Sequence, residues 1–238
     1  MKVLVTGGSG GIGEAAVRLL RSKGHEVFFT YKSNLKKANV IEQMTGAKKI
    51  QYNFTSRASV ANLIRFIKSK PVDGLVYGAA EKITRETILK TPLKLFAETL
   101  SKSIEGYYQI SQAVASSLKN RGSEGSIVNI LSSVVYGMPP AKQAAYVCSK
   151  YALLGLSRCQ SVEFGVFNVR VNSVSPGMIN TAFNADLPAR FIEMYAESLP
   201  MRRLATVDEV AHAIVFLLSP EASYLQGIDI PVCGGLTC

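Results

Sequence analysis

The sequence predicts an α/β fold in which a doubly wound parallel sheet carries helices on both faces. Three observations predict it. Short β-branched apolar runs alternate with longer helical patterns from end to end; strands separated in this way pair in parallel and are covered on both sides. A glycine cluster, "TGGSGGIG" (residues 6–13), lies between the first strand and the first helix. No Pro/Ser-rich linker or internal repeat interrupts the rhythm, so residues 1–238 read as one domain, a usual length for a single α/β unit.

The elements follow in order. "KVLVT" is a strand that ends in glycines, and "EAAVRLLRSKG" sets Ala16, Leu19 and Leu20 at helical spacing before Gly24 stops it. "HEVFFTY" is the second strand, "LKKANVIEQM" a helix and "KKIQYNF" the third strand. In "SRASVANLIRFIKSK", Val60, Leu63, Ile64 and Ile67 form one apolar stripe with Ser56 as N-cap. The strand "VDGLVYGAA" follows, then a long helix over residues 92–119, the strand "GSIVNIL", a helix carrying Tyr146 and Lys150, and the strand "NVRVNSV". Residues 176–204 read as less regular. "TVDE" opens the last helix as a capping box of Thr206 with Glu209, and "GIDIPV" is the closing strand.

Composition narrows the function classes. Hydrophobic types make up 47% of 238 residues, enough for a sizeable core, yet no apolar run approaches the roughly 18 residues of a membrane span. The 27 Lys and Arg exceed the 17 Asp and Glu, giving a formal charge of +10. These charges are scattered and no nucleic-acid motif accompanies them, so they read as a basic solvated surface rather than a nucleic-acid footprint. Cys148, Cys159, Cys233 and Cys238 have neither C-x-x-C nor zinc spacing. The opening "MKVLVTGGSGGIG" reads as a strand entering a glycine loop, not as an export signal, so reduced thiols and a cytoplasmic location are expected. His25 and His212 are too far apart for a helical metal pair, and neither a metal site nor a Ser-His-Asp triad is expected.

The glycine loop suits a pyrophosphate. Glycines allow a tight turn and close backbone approach, and the helix behind them presents free N–H groups and a positive dipole end. Gly7, Ser9, Gly11, Ile12 and Gly13 are the candidate ligand residues. The strand–loop–helix context is what makes this a dinucleotide site on a Rossmann domain. The second strand ends "FFTYKSN", without the carboxylate that would hold a ribose 2′-hydroxyl. Tyr31, Lys32 and Ser33 stand there instead, and Lys32 can neutralise a 2′-phosphate, so NADP(H) is expected over NAD(H).

The stretch "SSVVYGMPPAKQAAYVCSKYALLG" (residues 132–155) carries the chemistry. Tyr146 and Lys150 are four apart on one helix and share a face. A free phenol titrates near pH 10, and a neighbouring ammonium is expected to lower that value into range for general acid–base work. A serine at the end of the preceding strand can hold the reacting oxygen. Cys148, between them, points off that face and is read as small packing.

These residues resemble the short-chain dehydrogenase/reductase family, over residues 3–235. The matching signatures are "TGGSGGIG", the serine ahead of "YVCSK", "VNSVSPGMINT" and "GIDIPVCGG", and the likeness is greatest to the 3-oxoacyl-(acyl-carrier-protein) reductase group. The resemblance implies Tyr146 as catalytic acid, Lys150 as its activator and ribose ligand, and a serine as substrate-oxygen partner. Ser133, thirteen residues before the tyrosine, is preferred over Ser132, which sits three after Asn129. It also implies cofactor contacts from Gly78 and Ala79, Pro176, Gly177, Ile179 and Thr181.

Departures from the family pattern are informative. "YGAA" (residues 77–80) stands for N-N-A-G, Ser103 for the catalytic asparagine of the long helix, and Asn53, followed by Phe54, for an aspartate near adenine. The expected reaction is NADPH-dependent reduction of a ketone, including 3-oxoacyl thioesters, to a secondary alcohol. Two alternatives stay open: a dinucleotide-binding protein with weak or lost catalysis, and a reductase of a sugar or other small carbonyl precursor. Residues 178–204 are expected to form a substrate lid, with Phe183, Leu187, Phe191, Ile192 and Met194 as its apolar face. Arg190, Arg202 and Arg203 are candidates to meet an acidic acyl carrier protein, and the resemblance implies a homodimer or homotetramer.

Overall fold

The computed structural model describes residues 1–236. Strands β1 (Lys2–Thr6), β2 (Glu26–Tyr31), β3 (Lys48–Gln51), β4 (Gly74–Tyr77), β5 (Gly125–Ile130), β6 (Val169–Pro176) and β7 (Asp229–Val232) make one seven-stranded sheet in the order β3-β2-β1-β4-β5-β6-β7. Every pairing is parallel. The helices are α1 (Gly11–Ser22), α2 (Leu35–Thr45), α3 (Arg57–Ser69), α4 (Leu93–Arg121), α5 (Ala144–Gly165), α6 (Ala189–Ser198) and α7 (Val207–Leu218).

Strand alternation divides the core in two. Val3, Val5, Val27, Phe29, Val76 and Val128 face α1, α2 and α7, where Ala16, Leu20, Ile41 and Ile214 meet them. Leu4, Phe28, Leu75 and Ile127 point the other way, onto Val60, Leu63 and Ile67 of α3, Tyr107 and Ile110 of α4, and Leu153 of α5. Strands buried on both faces must be apolar along their whole length, which is how these runs read. The helix starts follow the side-chain chemistry: Ser56 accepts from the Ser59 N–H, and Thr206 and Glu209 form a reciprocal capping box. Gly24, just beyond α1, takes a φ of +80° that only glycine adopts freely.

Two expectations need correction. The region 176–204 is not simply irregular, because α6 lies within it. Pro188 sits at its N-cap, and none of its residues is buried, so no core-facing stripe announces it. Cys148 is exposed, not packed, because the face of α5 that turns from Tyr146 and Lys150 there meets solvent. Among the described residues, no helix is long and apolar enough to cross a membrane.

Candidate active site

The strand order reverses between β1 and β4, and in open α/β sheets ligands bind in the crevice beyond the carboxyl ends at such a point. The loop after β1 enters this crevice. Gly7 has φ +69°, and a Cβ there would lie 2.6 Å from Gly78 O; a Cβ on Gly13 would lie 2.3 Å from Gly7 O. Only glycine permits this folding of the main chain onto the end of β4. Two strand-end hydroxyls hold it: Gly7 N–H donates to Thr30 Oγ1 (3.0 Å), while Thr6 Oγ1 accepts from Gly78 N–H (3.1 Å) and Ala79 N–H (3.3 Å). Gly10, the N-cap of α1, offers no side-chain cap, which leaves the N–H groups at residues 11–13 to an external acceptor. Cradle and helix end together fit a dinucleotide pyrophosphate.

The other expected binding residues surround this cradle. A Cβ on Gly11 would stand 2.7 Å from Thr181 Cγ2, which puts Thr181 at the mouth of α1. Pro176 ends β6, Gly177 N–H donates to Val232 O (2.9 Å), and buried Ile179 bridges to Ala205. Ser9 is half-buried in the glycine loop. Tyr31 is half-buried at the end of β2, with Lys32 and Ser33 exposed after it. Asn53 turns its oxygen onto the Thr55 N–H (3.2 Å) and hydroxyl (2.9 Å). Phe54 buries its ring in the core, leaving only its main chain for a ligand.

Tyr146 and Lys150 share one face of α5, as their spacing requires. The Lys150 amine is buried, donates to Ile130 O at 3.0 Å and stands 5.7 Å from the centre of the Tyr146 ring. Ser103 lines a cavity of about 40 Å³ with Tyr146, Lys150 and Thr99, while its own hydroxyl donates to Thr99 O at 2.8 Å. That volume admits water.

The serine differs from the expectation. Ser132, not Ser133, is the serine that acts on the Tyr146 phenol, lowering its pKa, and its hydroxyl accepts from Val134 N–H at 3.4 Å. Ser133 begins a 3-10 turn and is buried. Counting from the strand fixes this position better than counting back from the tyrosine, because the connecting loop is free to vary.

The electrostatics also differ. Burial pushes the Tyr146 phenol above its ordinary value of 10; Ser132 and the charge of Arg85 pull it down, less strongly. Lys150 lies beneath the ring and does not offset that burial. Its own pKa is brought down to about 8 because the charged amine is buried. Arg85 carries no signature in the sequence. It reaches the cleft from the loop after β4 and pairs with Asp186 of the segment beyond β6 at 3.1 Å. A pair 101 residues apart has no local signature.

Comparison with known proteins agrees with this geometry. Residues 7–237 match a family model described as enoyl-(acyl carrier protein) reductase. The uncharacterized oxidoreductase YgfF of Escherichia coli (strain K12) is 35% identical, covering 98% of this chain and 98% of that protein. Carbonyl reductase [NADPH] 2 of Sus scrofa is 30% identical over 99% and 96% of the two chains. A solved short chain dehydrogenase/reductase family protein superposes with a TM-score of 0.87 at 34% identity, over 99% of this chain and 96% of that one. The chain belongs to the short-chain dehydrogenase/reductase family, and it is an oxidoreductase.

Proposed function

We propose that this protein reduces a ketone to a secondary alcohol with NADPH, with Tyr146 as the proton donor. The observation that carries the reading is the Tyr146 phenol beside the buried Lys150 amine on one face of α5, with Ser132 acting on it, at the carboxyl edge of a sheet whose switch point has a glycine cradle fitted to a dinucleotide. Gly7, Ser9, Gly11, Ile12 and Gly13 would hold the pyrophosphate. Tyr31, Lys32 and Ser33 would hold the 2′-phosphate end, with the main chain at Asn53 and Phe54 beside the adenine. Gly78, Ala79, Pro176, Gly177, Ile179 and Thr181 would flank the nicotinamide end. When bound, the dihydronicotinamide supplies a hydride.

The residues of the chain handle the oxygen and the proton. Ser132 holds the carbonyl oxygen against the Tyr146 hydroxyl. A phenol with a raised pKa is protonated at neutral pH, the state from which it gives its proton to a developing alkoxide. Lys150, charged below about pH 8, stabilises the phenolate left behind and would hold a ribose hydroxyl of the cofactor. Water in the adjoining cavity, beside Ser103, restores the proton. The segment 178–204 acts as the lid, with Phe183 packing its ring 6.3 Å from that of Tyr146.

The substrate class includes 3-oxoacyl thioesters on this reading. An acidic carrier protein would meet Arg190 and Arg202, since Arg203 is held by Glu209 at 2.7 Å. A cytoplasmic homodimer or homotetramer, built as one domain, is the proposed working form. The test is NADPH oxidation across a panel of ketones and 3-oxoacyl thioesters. Tyr146→Phe should lower kcat by at least about a hundredfold, the usual weight of a general acid, while NADPH still binds. NADPH binding without turnover of any panel member would favour the non-catalytic reading instead.

A further inference from the structure

The segment above Tyr146 carries a cation that the reductase chemistry leaves unused. Arg85 Nε donates to Asp186 Oδ2 (3.1 Å), and its Nη2 donates to Asn184 Oδ1 (3.3 Å). Next to Asn184, Phe183 packs its ring 6.3 Å from that of Tyr146, so the segment that holds Arg85 borders the reacting tyrosine. The loop bearing Arg85 is also fixed from the other side. Glu86 N–H donates to Lys142 O (3.0 Å), in the turn that leads into α5. Arg85 is thus held between the lid and the approach to the catalytic helix, with its side chain only 21% exposed.

Lys82 lies close enough to help hold the Asp186 carboxyl below its ordinary range, although Arg85 does most of this, so two cations face one carboxylate. Glu81 and Glu86 of the same loop line the cavity beside Tyr146 together with Lys82, and each has another partner. Glu86 accepts from its neighbour Thr87 N–H (2.8 Å), and the charge of Glu81 acts on Lys102 of α4. A guanidinium has five donors in a planar fork, and two are used here. The charge of Arg85 acts on the Tyr146 phenol, in keeping with its bond to Asn184, the neighbour of Phe183.

We propose that Arg85 binds an anionic group of the substrate, so that the preferred ketone is an oxo acid, its carboxylate replacing or joining Asp186 on the guanidinium fork while its carbonyl meets Tyr146. This rests on the ketone-reductase reading and narrows its substrate class. A bidentate carboxylate–guanidinium contact in a partly desolvated cleft discriminates strongly against the neutral ester of the same shape.

The experiment pairs each acid with its methyl ester. Steady-state NADPH oxidation is measured with 2-oxopropanoate, 3-oxobutanoate and 4-oxopentanoate and with their esters. Calorimetry follows the corresponding hydroxy acids and hydroxy esters binding to protein already loaded with NADPH, a combination that cannot react. For at least one chain length, the acid should exceed its ester by about tenfold or more in kcat/KM and in affinity. In Arg85→Gln that ratio should fall to about one through KM, Arg85→Lys should keep part of it, and Asp186→Asn should raise it by removing the competing carboxylate.

A ratio near one in the unaltered protein at every chain length overturns the inference while leaving the reductase reading intact. So does an Arg85→Gln variant that weakens acid and ester equally, the behaviour of a mere lid latch. Arg85-dependent binding of the hydroxy acids without any turnover supports the anion site and rejects the reductase reading. Neither binding nor turnover rejects both.

Discussion

Lys150 should make this protein less stable than it would be with an apolar residue in its place. Its side chain is 7% exposed, and burial lowers its pKa from 10.5 to about 8. At about 1.36 kcal/mol per pH unit, the folded state carries a penalty of about 3 kcal/mol while the amine is charged. Below pH 8, folded and unfolded chains both hold the proton and the penalty is complete. Between pH 8 and 10.5 the unfolded chain keeps a proton that the folded chain has lost, so stability rises with pH; above 10.5 the penalty is gone. Lys150→Met keeps the apolar stem and removes the ammonium, but forfeits the hydrogen bond to Ile130 O, worth about 1 kcal/mol. The variant should be more stable at pH 7 by about 2 kcal/mol, or about 4 °C in Tm, and slightly less stable at pH 10.5. Thermal unfolding of the ligand-free proteins across this pH range is the assay. A variant that melts below the parent at pH 7, or a parent whose stability does not rise relative to the variant between pH 8 and 10, refutes the reasoning. Reductase kcat/KM of the parent should also decline above about pH 8, as the ammonium that steadies the phenolate is lost.

Other expectations follow from individual contacts. Ser132→Ala should lower kcat by about a hundredfold or more, and Ser133→Ala by less than about threefold, because Ser132 is the serine that acts on the Tyr146 phenol; the reverse ranking in NADPH oxidation would restore Ser133. Lys32→Ala should lower kcat/KM for NADPH by about tenfold and leave that for NADH unaltered, since on the proposed reading the exposed amine would meet a 2′-phosphate that NADH lacks. Equal losses with the two cofactors would remove Lys32 from the site.

What the sequence disclosed depended on how local the cause was. Strand identities in β1, β2, β4 and β5 were legible because burial on two faces demands unbroken apolar runs. The Ser56 cap and the Thr206–Glu209 box were legible because both partners lie within one helical turn. The glycine loop was legible because Gly7 and Gly13 admit no Cβ. Ser132 was harder: its distance from Tyr146 along the chain crosses a loop, whereas its position after Asn129 is fixed by strand register. Lys150 was placed on the right face of its helix, but its electrostatic effect depends on burial, which one helix cannot report. Arg85 and Asp186 were illegible, since the contact exists only when the loops after β4 and β6 converge over α5.

The departures from the family pattern make structural sense when taken together. Tyr77, where the pattern has asparagine, is 2% exposed, and its ring lies 5.2 Å from that of Tyr107. Its hydroxyl is directed under α4, where a Cβ on Gly106 would stand only 2.6 Å away. The bulk of the tyrosine is therefore taken up by the core and by the missing side chain at Gly106, not by the cleft. What faces the cleft from this segment is main chain at Gly78 and Ala79, fixed by Thr6. Replacing an asparagine pair by tyrosine and glycine thus removes side-chain contacts near the cofactor while leaving the backbone platform in place. Three residues downstream of Gly78, the same loop begins to carry charged groups: Glu81, Lys82 and Glu86 line the cavity beside Tyr146, and Arg85 reaches across to Asp186.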